Sequence, residues 1–408
     1  MSRLGDHSSS HDPIPLQMEG FQWIKCLGRG GFAETHLYAD LHQRYGRHVA
    51  VKIPHNKELE EALIRGDILS LASLQNIPHI VRILDIHAIE GRYVLLMEYV
   101  EGPSLRELIG PTGRGRPLPA NKAIAYTQHI AKGLQASHDR QMVHRDIKPA
   151  NIIISREDDT AQILDFGIAS IVNDQGSFET QSKRHTPIYS PPELIFEGKG
   201  DHRVDIYSLG VTLYEMLTGG LPYFNPSAPL IQAIMKMREN GPPSVCEQNP
   251  DIPRFLEKVV QTAMAPNPED RPRNMEELIR SLAPPPELKL AHEHMAAGAT
   301  RRAEHVLKAL IERAPQDARG FVALASIYNR CQKTAEAEAV LSQALCIEPR
   351  DADLHFRRGA TLLKLGRSAA ARESLEEAGK WCRNERLRRK IATLTKATGV
   401  PDKEPNPS

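Results

Sequence analysis

One stretch, residues 144–167, constrains the fold of this chain more than any other. Among the polar residues of this stretch, four suit one kind of chemistry and stand beside short apolar runs that are typical of β-strands: Asp146, Lys148, Asn151 and Asp165. A carboxylate can accept the proton of an attacking hydroxyl, and a lysine can neutralise phosphate charge. Amide and carboxylate oxygens are ligands that Mg²⁺ accepts. We therefore predict phosphate chemistry, with Asp146 as the general base and Lys148 as the phosphate partner. Asn151 and Asp165 are the predicted metal ligands.

Length and composition describe a soluble protein of more than one domain. A chain of 408 residues exceeds one ordinary core, so two or three domains are expected. The formal net charge of +1 gives no general attraction to nucleic acid or to a membrane, and no nucleic-acid partner is expected. The five cysteines are scattered without a CxxC pair, which argues for reduced thiols and against a zinc site. Because no apolar run is long enough for a membrane span and no signal core opens the chain, we predict a cytoplasmic protein.

A glycine loop precedes an apolar strand that ends in a lysine. Gly28, Gly30 and Gly31 lie between two predicted strands, where missing side chains let backbone amides approach phosphate oxygens. The strand 49–52 follows at a distance that fits one hairpin, and Lys52 is its last residue. The loop and the lysine together predict a second phosphate-binding element.

These segments resemble those of the eukaryotic-like, bacterial-type serine/threonine protein kinases. The order of further short motifs, among them residues 191–193 and 270–272, extends the resemblance over Phe21 to Leu282. The resemblance implies an α+β bilobal protein kinase fold, with ATP and Mg²⁺ (or Mn²⁺) as cofactors. It also implies transfer of the γ-phosphoryl group to Ser or Thr hydroxyls of protein substrates, since a lysine two residues after the aspartate is the pattern of that class.

The resemblance assigns roles on the nucleotide side as well. Lys52 is expected to hold the α and β phosphates, and Ala50 to form part of the adenine ceiling. The backbones of Glu98 and Val100 are expected to meet the adenine edge. A helix is predicted over 58–74, where the family pairs its strand lysine with a glutamate. The register places Asp67 there, and Glu60 or Glu61 are the alternatives.

The C-terminal third repeats with a period of 34 residues. Alanines and leucines recur at that interval: Ala303, Ala337 and Ala371, and Leu307, Leu341 and Leu375. The pattern resembles tetratricopeptide repeats, which stack helix pairs around a concave groove. We predict an all-α solenoid of three repeats plus a last helix at about 385–396, with a protein or peptide ligand in the groove.

The predicted domain organisation has five parts. They are a disordered leader (1–17), a protein kinase domain (18–283), a proline linker (284–286), the tetratricopeptide repeats with the C-terminal helix (287–398), and a tail (399–408). The predicted function is a serine/threonine protein kinase whose repeats recruit or position a protein partner. The alternative is a pseudokinase scaffold in which the repeats carry the function.

Overall fold

A computed structural model describes residues 16–30, 33–55, 77–89, 91–164, 187–249, 252–382 and 385–399. The chain forms two compact units. The first contains residues 1–105 and 132–186, and the second contains residues 106–131 and 187–408. Within the described residues, no helix has both the length and the apolar character that a membrane crossing requires.

The first unit contains an antiparallel sheet of five strands with the order β1-β2-β3-β5-β4. The strands are β1 (Phe21–Arg29), β2 (Ala33–Asp40), β3 (His48–Pro54), β4 (Ile83–Ile89) and β5 (Arg92–Glu98). Alternation along β3 sends Val49, Val51 and Ile53 into one apolar cluster. Ala50 and Lys52 therefore lie on the opposite face of the sheet.

A small hairpin follows in the same unit. A 3-10 turn at Pro149–Asn151 leads into β6 (Ile152–Ile154), which pairs with β7 (Ala161–Ile163). The chain from Glu101 onward runs beside β6, because Ile154 N–H donates to Pro103 O at 2.9 Å and Arg156 N–H donates to Glu101 O at 2.9 Å. The apolar runs of the sequence thus form the predicted strands on both sides of Asp146.

The second unit is helical. The helices before the repeats are, in chain order, α1 (Leu105–Ile109), α2 (Ala120–His138), α3 (Pro192–Glu197), α4 (Arg203–Thr218), α5 (Leu230–Asn240), α6 (Val245–Gln248), α7 (Arg254–Ala263) and α8 (Met275–Leu282). The C-terminal part of α2 belongs to the first unit. Every residue of α4 from Val204 to Leu217 is buried, so this helix lies in the core of the helical part that precedes the repeats. Two 3-10 turns, Pro187–Tyr189 and Pro268–Asp270, complete this part.

Two arginine–glutamate pairs stabilise this helical part. Arg271 Nη1 and Nη2 donate to the two carboxylate oxygens of Glu193 at 2.6 and 2.9 Å, and this pair joins the motif at 270–272 to the motif at 191–193. Arg106 makes a similar fork to the fully buried Glu215 at 2.9 and 2.7 Å. Tyr189 OH donates to the same carboxylate at 2.6 Å, so the buried charge has several partners.

The repeats form three helix pairs and a last helix. They are α9 (Pro286–Ala296) with α10 (Thr300–Arg313), α11 (Ala318–Arg330) with α12 (Thr334–Ile347), α13 (Ala352–Lys364) with α14 (Ser368–Trp381), and α15 (Glu385–Ala397). The repeating Ala303, Ala337 and Ala371 are fully buried, so neighbouring helices pack closely there. Pro286 was predicted to belong to the linker but is the first residue of α9, because proline is well accepted at that helix position.

The turn inside each repeat uses one left-handed residue. Gly298, Gln332 and Gly366 have φ angles of 74°, 59° and 72° and stand 34 residues apart. Glycine adopts this conformation at little cost, whereas glutamine is strained in it. The two glycines are two repeat periods apart in the sequence, and this interval marks the turns in addition to the alanine and leucine spacing.

The start of α11 contacts α7 within the second unit. The guanidinium of Arg319 lies 3.9 Å from the ring centroid of Phe255, and its Nη1 donates to Ala283 O at 3.3 Å. Asp317 holds the same guanidinium through a bidentate ion pair, with a closest approach of 2.7 Å. The repeats are therefore attached to α7 by side-chain contacts in addition to the chain itself.

Candidate active site

The loop that leads into β6 gathers three of the predicted site residues. Lys148 Nζ lies 3.0 and 2.8 Å from the two carboxylate oxygens of Asp146. Asn151 Nδ2 donates to Asp146 Oδ2 and to Asp146 O, both at 2.9 Å. The Asp146 and Lys148 side chains are 19% and 18% exposed, so the ion pair remains accessible to a substrate. The structure thus brings Asp146, Lys148 and Asn151 together.

The Asn151 amide has its orientation set by these contacts. Because both contacts of Nδ2 are to acceptors on Asp146, the amide nitrogen must face that residue. Oδ1 is then the atom available as a hard oxygen ligand, which is the type that Mg²⁺ requires. The donor set at Asn151 therefore fits the predicted metal role.

His144 supports the backbone of the same loop. Asp146 N–H donates to His144 Nδ1 at 3.2 Å, so Nδ1 is unprotonated and Nε2 carries the hydrogen. Nε2 lies 3.2 Å from Leu164 O and donates to it. Between them Arg145 adopts φ +64°, a strained value for a residue with a side chain. The buried imidazole therefore links the Asp146 backbone to the end of the β6–β7 hairpin.

The backbone of Asn151 is paired with the residue before the second predicted metal ligand. Leu164 N–H donates to Asn151 O at 2.8 Å, which extends the β6–β7 ladder by one step. Asp165 follows Leu164 in the sequence and lies outside the described residues. The roles predicted for Asp67, Glu60 and Glu61 also fall outside the described part of the chain.

On the nucleotide side, β3 presents Ala50 and Lys52 from the same face of the sheet. In the register with β5, Ala50 is opposite Met97 and Lys52 is opposite Leu95. Ala50 is 7% exposed, and Lys52 is partly exposed. The strand therefore places the small residue and the cation two positions apart, as the sequence predicts.

The glycine loop joins β1 and β2 and has room for a ligand. Gly30 N–H donates to Ala33 O at 2.9 Å and closes the turn. A Cβ added at Gly28 would meet no atom within 4 Å, and one added at Gly30 would meet only Ala33 O at 3.5 Å. Neither glycine is required by the surrounding protein, which fits a role in backbone approach to phosphate. Gly31 lies outside the described residues.

Glu98 and Val100 lie at the end of β5. Glu98 N–H donates to Arg82 O at 2.9 Å, and Arg82 Nε donates to Glu98 Oε2 at 2.9 Å. The Glu98 carbonyl is then the group that can face a base edge. No backbone bond between described residues uses the Val100 amide. Arg82 was not predicted to take part in this site, because no local sequence pattern around it distinguishes it from other surface arginines.

Gly102 is a second residue whose role the sequence analysis missed. A Cβ at this position would overlap Ile154 O and lie 2.8 Å from its carbonyl carbon. Only glycine therefore lets residues 101–104 lie against β6. This contact joins the segment after Glu98 to the hairpin that follows Asp146, and a lone glycine in a turn-like stretch does not reveal it.

Curated proteins with similar sequences are bacterial serine/threonine-protein kinases. A probable one from Clostridium perfringens is 34% identical over 267 residues, which cover 64% of this chain and 38% of that protein. PrkC of Bacillus subtilis is 32% identical over 262 residues, which cover 63% and 39%. PknB of Mycolicibacterium smegmatis is 36% identical over 262 residues, which cover 60% and 40%. This chain thus spans about two fifths of the length of these relatives.

Family models match both parts of the chain. The tetratricopeptide repeat model matches residues 352–385, which are α13, α14 and the start of α15. The protein kinase domain model matches residues 21–282, from the first residue of β1 to the last of α8. Together with the sheet, the hairpin and the helix pairs, these matches confirm the predicted α+β kinase fold followed by helical repeats. The chain belongs to the protein kinase family.

Proposed function

We propose that this protein is a serine/threonine protein kinase that transfers the γ-phosphoryl group of ATP to Ser or Thr hydroxyls of proteins. The observation that carries this proposal is the convergence of Lys148 and Asn151 on the Asp146 carboxylate at 2.8–3.0 Å. An aspartate that only stabilised the fold would need neither an accessible lysine beside it nor an amide whose oxygen is left available for another ligand.

The proposed mechanism assigns one task to each side chain. Asp146 orients the substrate hydroxyl and accepts its proton as the hydroxyl oxygen bonds to the γ-phosphorus. The bond from that phosphorus to the bridging oxygen breaks, and ADP leaves with the electron pair. Lys148 lies beside the carboxylate and offsets the negative charge of the transferring group.

The remaining assignments concern ATP and the metal. The backbones at Gly28, Gly30 and Gly31 and the ammonium of Lys52 hold the phosphates, and Ala50, Glu98 and Val100 bind the adenine. Bound Mg²⁺ (or Mn²⁺) supplies charge neutralisation at the phosphate oxygens. Asn151 Oδ1 and Asp165 are the proposed residues to hold this ion.

The rest of the proposal concerns location and partners. The repeats, residues 287–398, recruit or position a protein partner of the kinase domain, residues 18–283. A cytoplasmic location is proposed because the five cysteines follow no disulfide pattern.

Radiolabel transfer from γ-labelled ATP to a generic basic protein tests the proposal. Asp146→Asn and Lys52→Met should each abolish incorporation, whereas Asp139→Asn, at an exposed aspartate after α2, should leave it unchanged. Equal incorporation by all four proteins would come from a contaminating kinase. That result, or no incorporation by the wild type, would overturn the proposal and favour the pseudokinase scaffold.

A further inference from the structure

The repeats differ in charge from the rest of the chain. Residues 286–399 contain 21 Lys and Arg against 14 Asp and Glu, a net charge of +7. The whole chain carries +1, so the remainder carries −6. The net charge of the whole chain is near zero only because the basic repeats and the acidic remainder offset each other.

The last segment, residues 383–396, contains six of these cations and one acid, and further exposed cations recur along one edge of the repeats. Consecutive helices are joined by short turns and alternate in direction, so the ends of the first helices and the starts of the second helices share one edge. Six exposed basic residues stand at that edge and form the turn-edge row: Arg301, Arg302, Arg330, Lys333, Lys364 and Arg367. Arg330 and Lys364 are 34 residues apart, as are Lys333 and Arg367, so the row repeats with the fold.

Helix stability does not account for all of this row. Arg330 and Lys364 stand at helix C-termini, where a cation is favourable. Lys333 and Arg367, however, are the N-cap residues of α12 and α14, and neither side chain makes a capping hydrogen bond. Serine, threonine, asparagine or aspartate is preferred at that position, and a positive charge opposes the helix dipole. These lysine and arginine side chains are therefore retained against the preference of their own helices.

The first repeat continues the pattern. Arg301 and Arg302 lie in the first turn of α10, which contains no acidic residue, and the first turn of α14 likewise contains none. Among described residues, the side chains of Arg330, Lys364 and Arg367 form no ion pair or hydrogen bond. Lys333 has partners within the repeats, since its Nζ lies 3.8 Å from a Glu304 carboxylate oxygen and 5.5 Å from the ring centroid of Tyr328. Glu336, in the first turn of α12, is an exposed acid beside the row.

The opposite edge differs in that acidic residues stand in its loops. The loops before α11 and α13 carry Asp317, Glu348 and Asp351 and contact α7 through Arg319 and Glu348. The turn-edge row is thus the edge that α7 does not cover.

We propose that the turn-edge row is a docking surface for an extended acidic segment of a partner protein. Charge complementarity favours this occupant, and the geometry sets its spacing. Packed helices lie roughly 8–10 Å apart, which is about three residues of an extended chain at roughly 3.3 Å each. A segment with Glu or Asp at every third residue therefore matches charges that recur from one helix to the next along this edge. This inference rests on the proposed recruiting role of the repeats and gives the partner a chemical class.

The probe is a fluorescein-labelled peptide of four Glu-Ser-Gly triplets, with a Gln-Ser-Gly peptide as its neutral counterpart. Anisotropy titration of the full chain without ATP should show binding of the acidic peptide only, weakened by added salt. The triple variant Arg330→Gln, Lys364→Gln and Arg367→Gln should bind at least tenfold more weakly. The matched triple Lys289→Gln, Arg313→Gln and Lys380→Gln removes the same charge at the opposite edge and should change the Kd less than threefold.

The outcomes separate this inference from the proposed function. Because the titration omits ATP, it gives an answer even for a chain without transfer activity, and both triples should keep wild-type phosphate incorporation. Equal weakening by both triples would reduce the effect to net charge and overturn the docking surface. Tighter binding of a single-stranded DNA 12-mer than of the peptide, with the same dependence on the three residues, would overturn the proposed partner class.

Discussion

Glu348, in the loop before α13, accepts the backbone N–H of Arg254 at the first residue of α7, with a distance of 3.1 Å. The two residues are 94 positions apart, and the carboxyl is 8% exposed. A repeat residue therefore satisfies one of the unpaired amides at the start of a helix in the catalytic part of the chain.

The stability of this contact should depend on pH. Burial, with Asp351 and Asp317 close by, raises the pKa of Glu348 from 4.5 to about 7, against the opposing bond from Arg254. The folded state then holds a proton that the unfolded chain releases, so this contribution is complete below pH 4.5 and is lost as pH rises through about 7. Glu348→Gln keeps an oxygen for Arg254 and stays neutral.

Thermal unfolding of Glu348→Gln and wild type between pH 5 and pH 8 measures this effect. The difference between the two should be smallest at pH 5, and by pH 8 the stability of the variant relative to wild type should have risen by on the order of 3 kcal/mol or less. Glu336→Gln, at an exposed position of α12, is the control and should show no such divergence. A constant difference between Glu348→Gln and wild type across the range would contradict the assignment.

Gly102→Ala and Gly28→Ala should separate stability from nucleotide binding. The first adds a methyl group that overlaps Ile154 O, so unfolding should become easier by about 1–3 kcal/mol or more. The second adds its methyl group in open space, so the melting temperature should not fall. ATP affinity, measured by titration, should fall for Gly28→Ala because the methyl group stands where the phosphates approach. A stable Gly102→Ala protein would show that β6 can move away without cost.

Gln332→Gly should stabilise the repeats. The left-handed φ of 59° strains glutamine, and the equivalent positions already carry Gly298 and Gly366. Removing roughly 1–2 kcal/mol of strain outweighs the roughly 0.5–1 kcal/mol that glycine loses in chain entropy. Gly366→Gln makes the reverse exchange, with no atom within 4 Å of the new Cβ, and should be destabilising. Denaturant unfolding of both variants checks the prediction, and shifts of the same sign would refute it.

Arg367→Ser should make the protein more stable and should weaken the binding of the acidic peptide to the turn-edge row. Serine is a preferred N-cap and removes a cation from the start of α14, which together should add about 1 kcal/mol. Ser368→Ala, one residue further into the helix, is the control and should have a smaller effect. A loss of stability in Arg367→Ser would mean that the arginine has a structural role, and would contradict its assignment to a docking surface.

Asn151→Ala tests the restraint on the proposed general base. Without the two bonds from Nδ2, Asp146 keeps Lys148 but loses its second neighbour and the proposed metal oxygen. Phosphate incorporation should fall about a hundredfold or more, in the range attributed to general base catalysis. Asn249→Ala, at an amide that donates to Leu217 O in the helical part, should affect stability and leave the rate unchanged.

Local patterns predicted those elements whose residues are close in sequence. The alternation along β3 placed Lys52, the spacing after Asp146 placed Asn151, and the 34-residue period placed the helix pairs. Helix boundaries are less well marked by such patterns: α2 ends at His138 because the chain turns there, and Gln141 is left-handed with φ 62°.

Other features depend on approaches between distant segments. Gly102 meets Ile154, and Glu348 meets Arg254, only because the fold brings remote backbones together. Hydrophobic periodicity describes which face of an element is buried and does not specify its neighbour. The two hydrogen bonds between Arg82 and Glu98 could not be predicted either, because they also join residues that are distant in the sequence.

The attachment of the repeats to α7 has a consequence for any segment that binds them. Arg319 on Phe255 and Glu348 on Arg254 hold the repeats where a flexible linker alone would let them diffuse. Once a partner is bound to the repeats, its other segments meet α7 at an effective concentration that is roughly millimolar for a short connection. A weak peptide contact on such a fixed module can therefore hold a partner near α7 for many encounters, without high affinity at the contact itself.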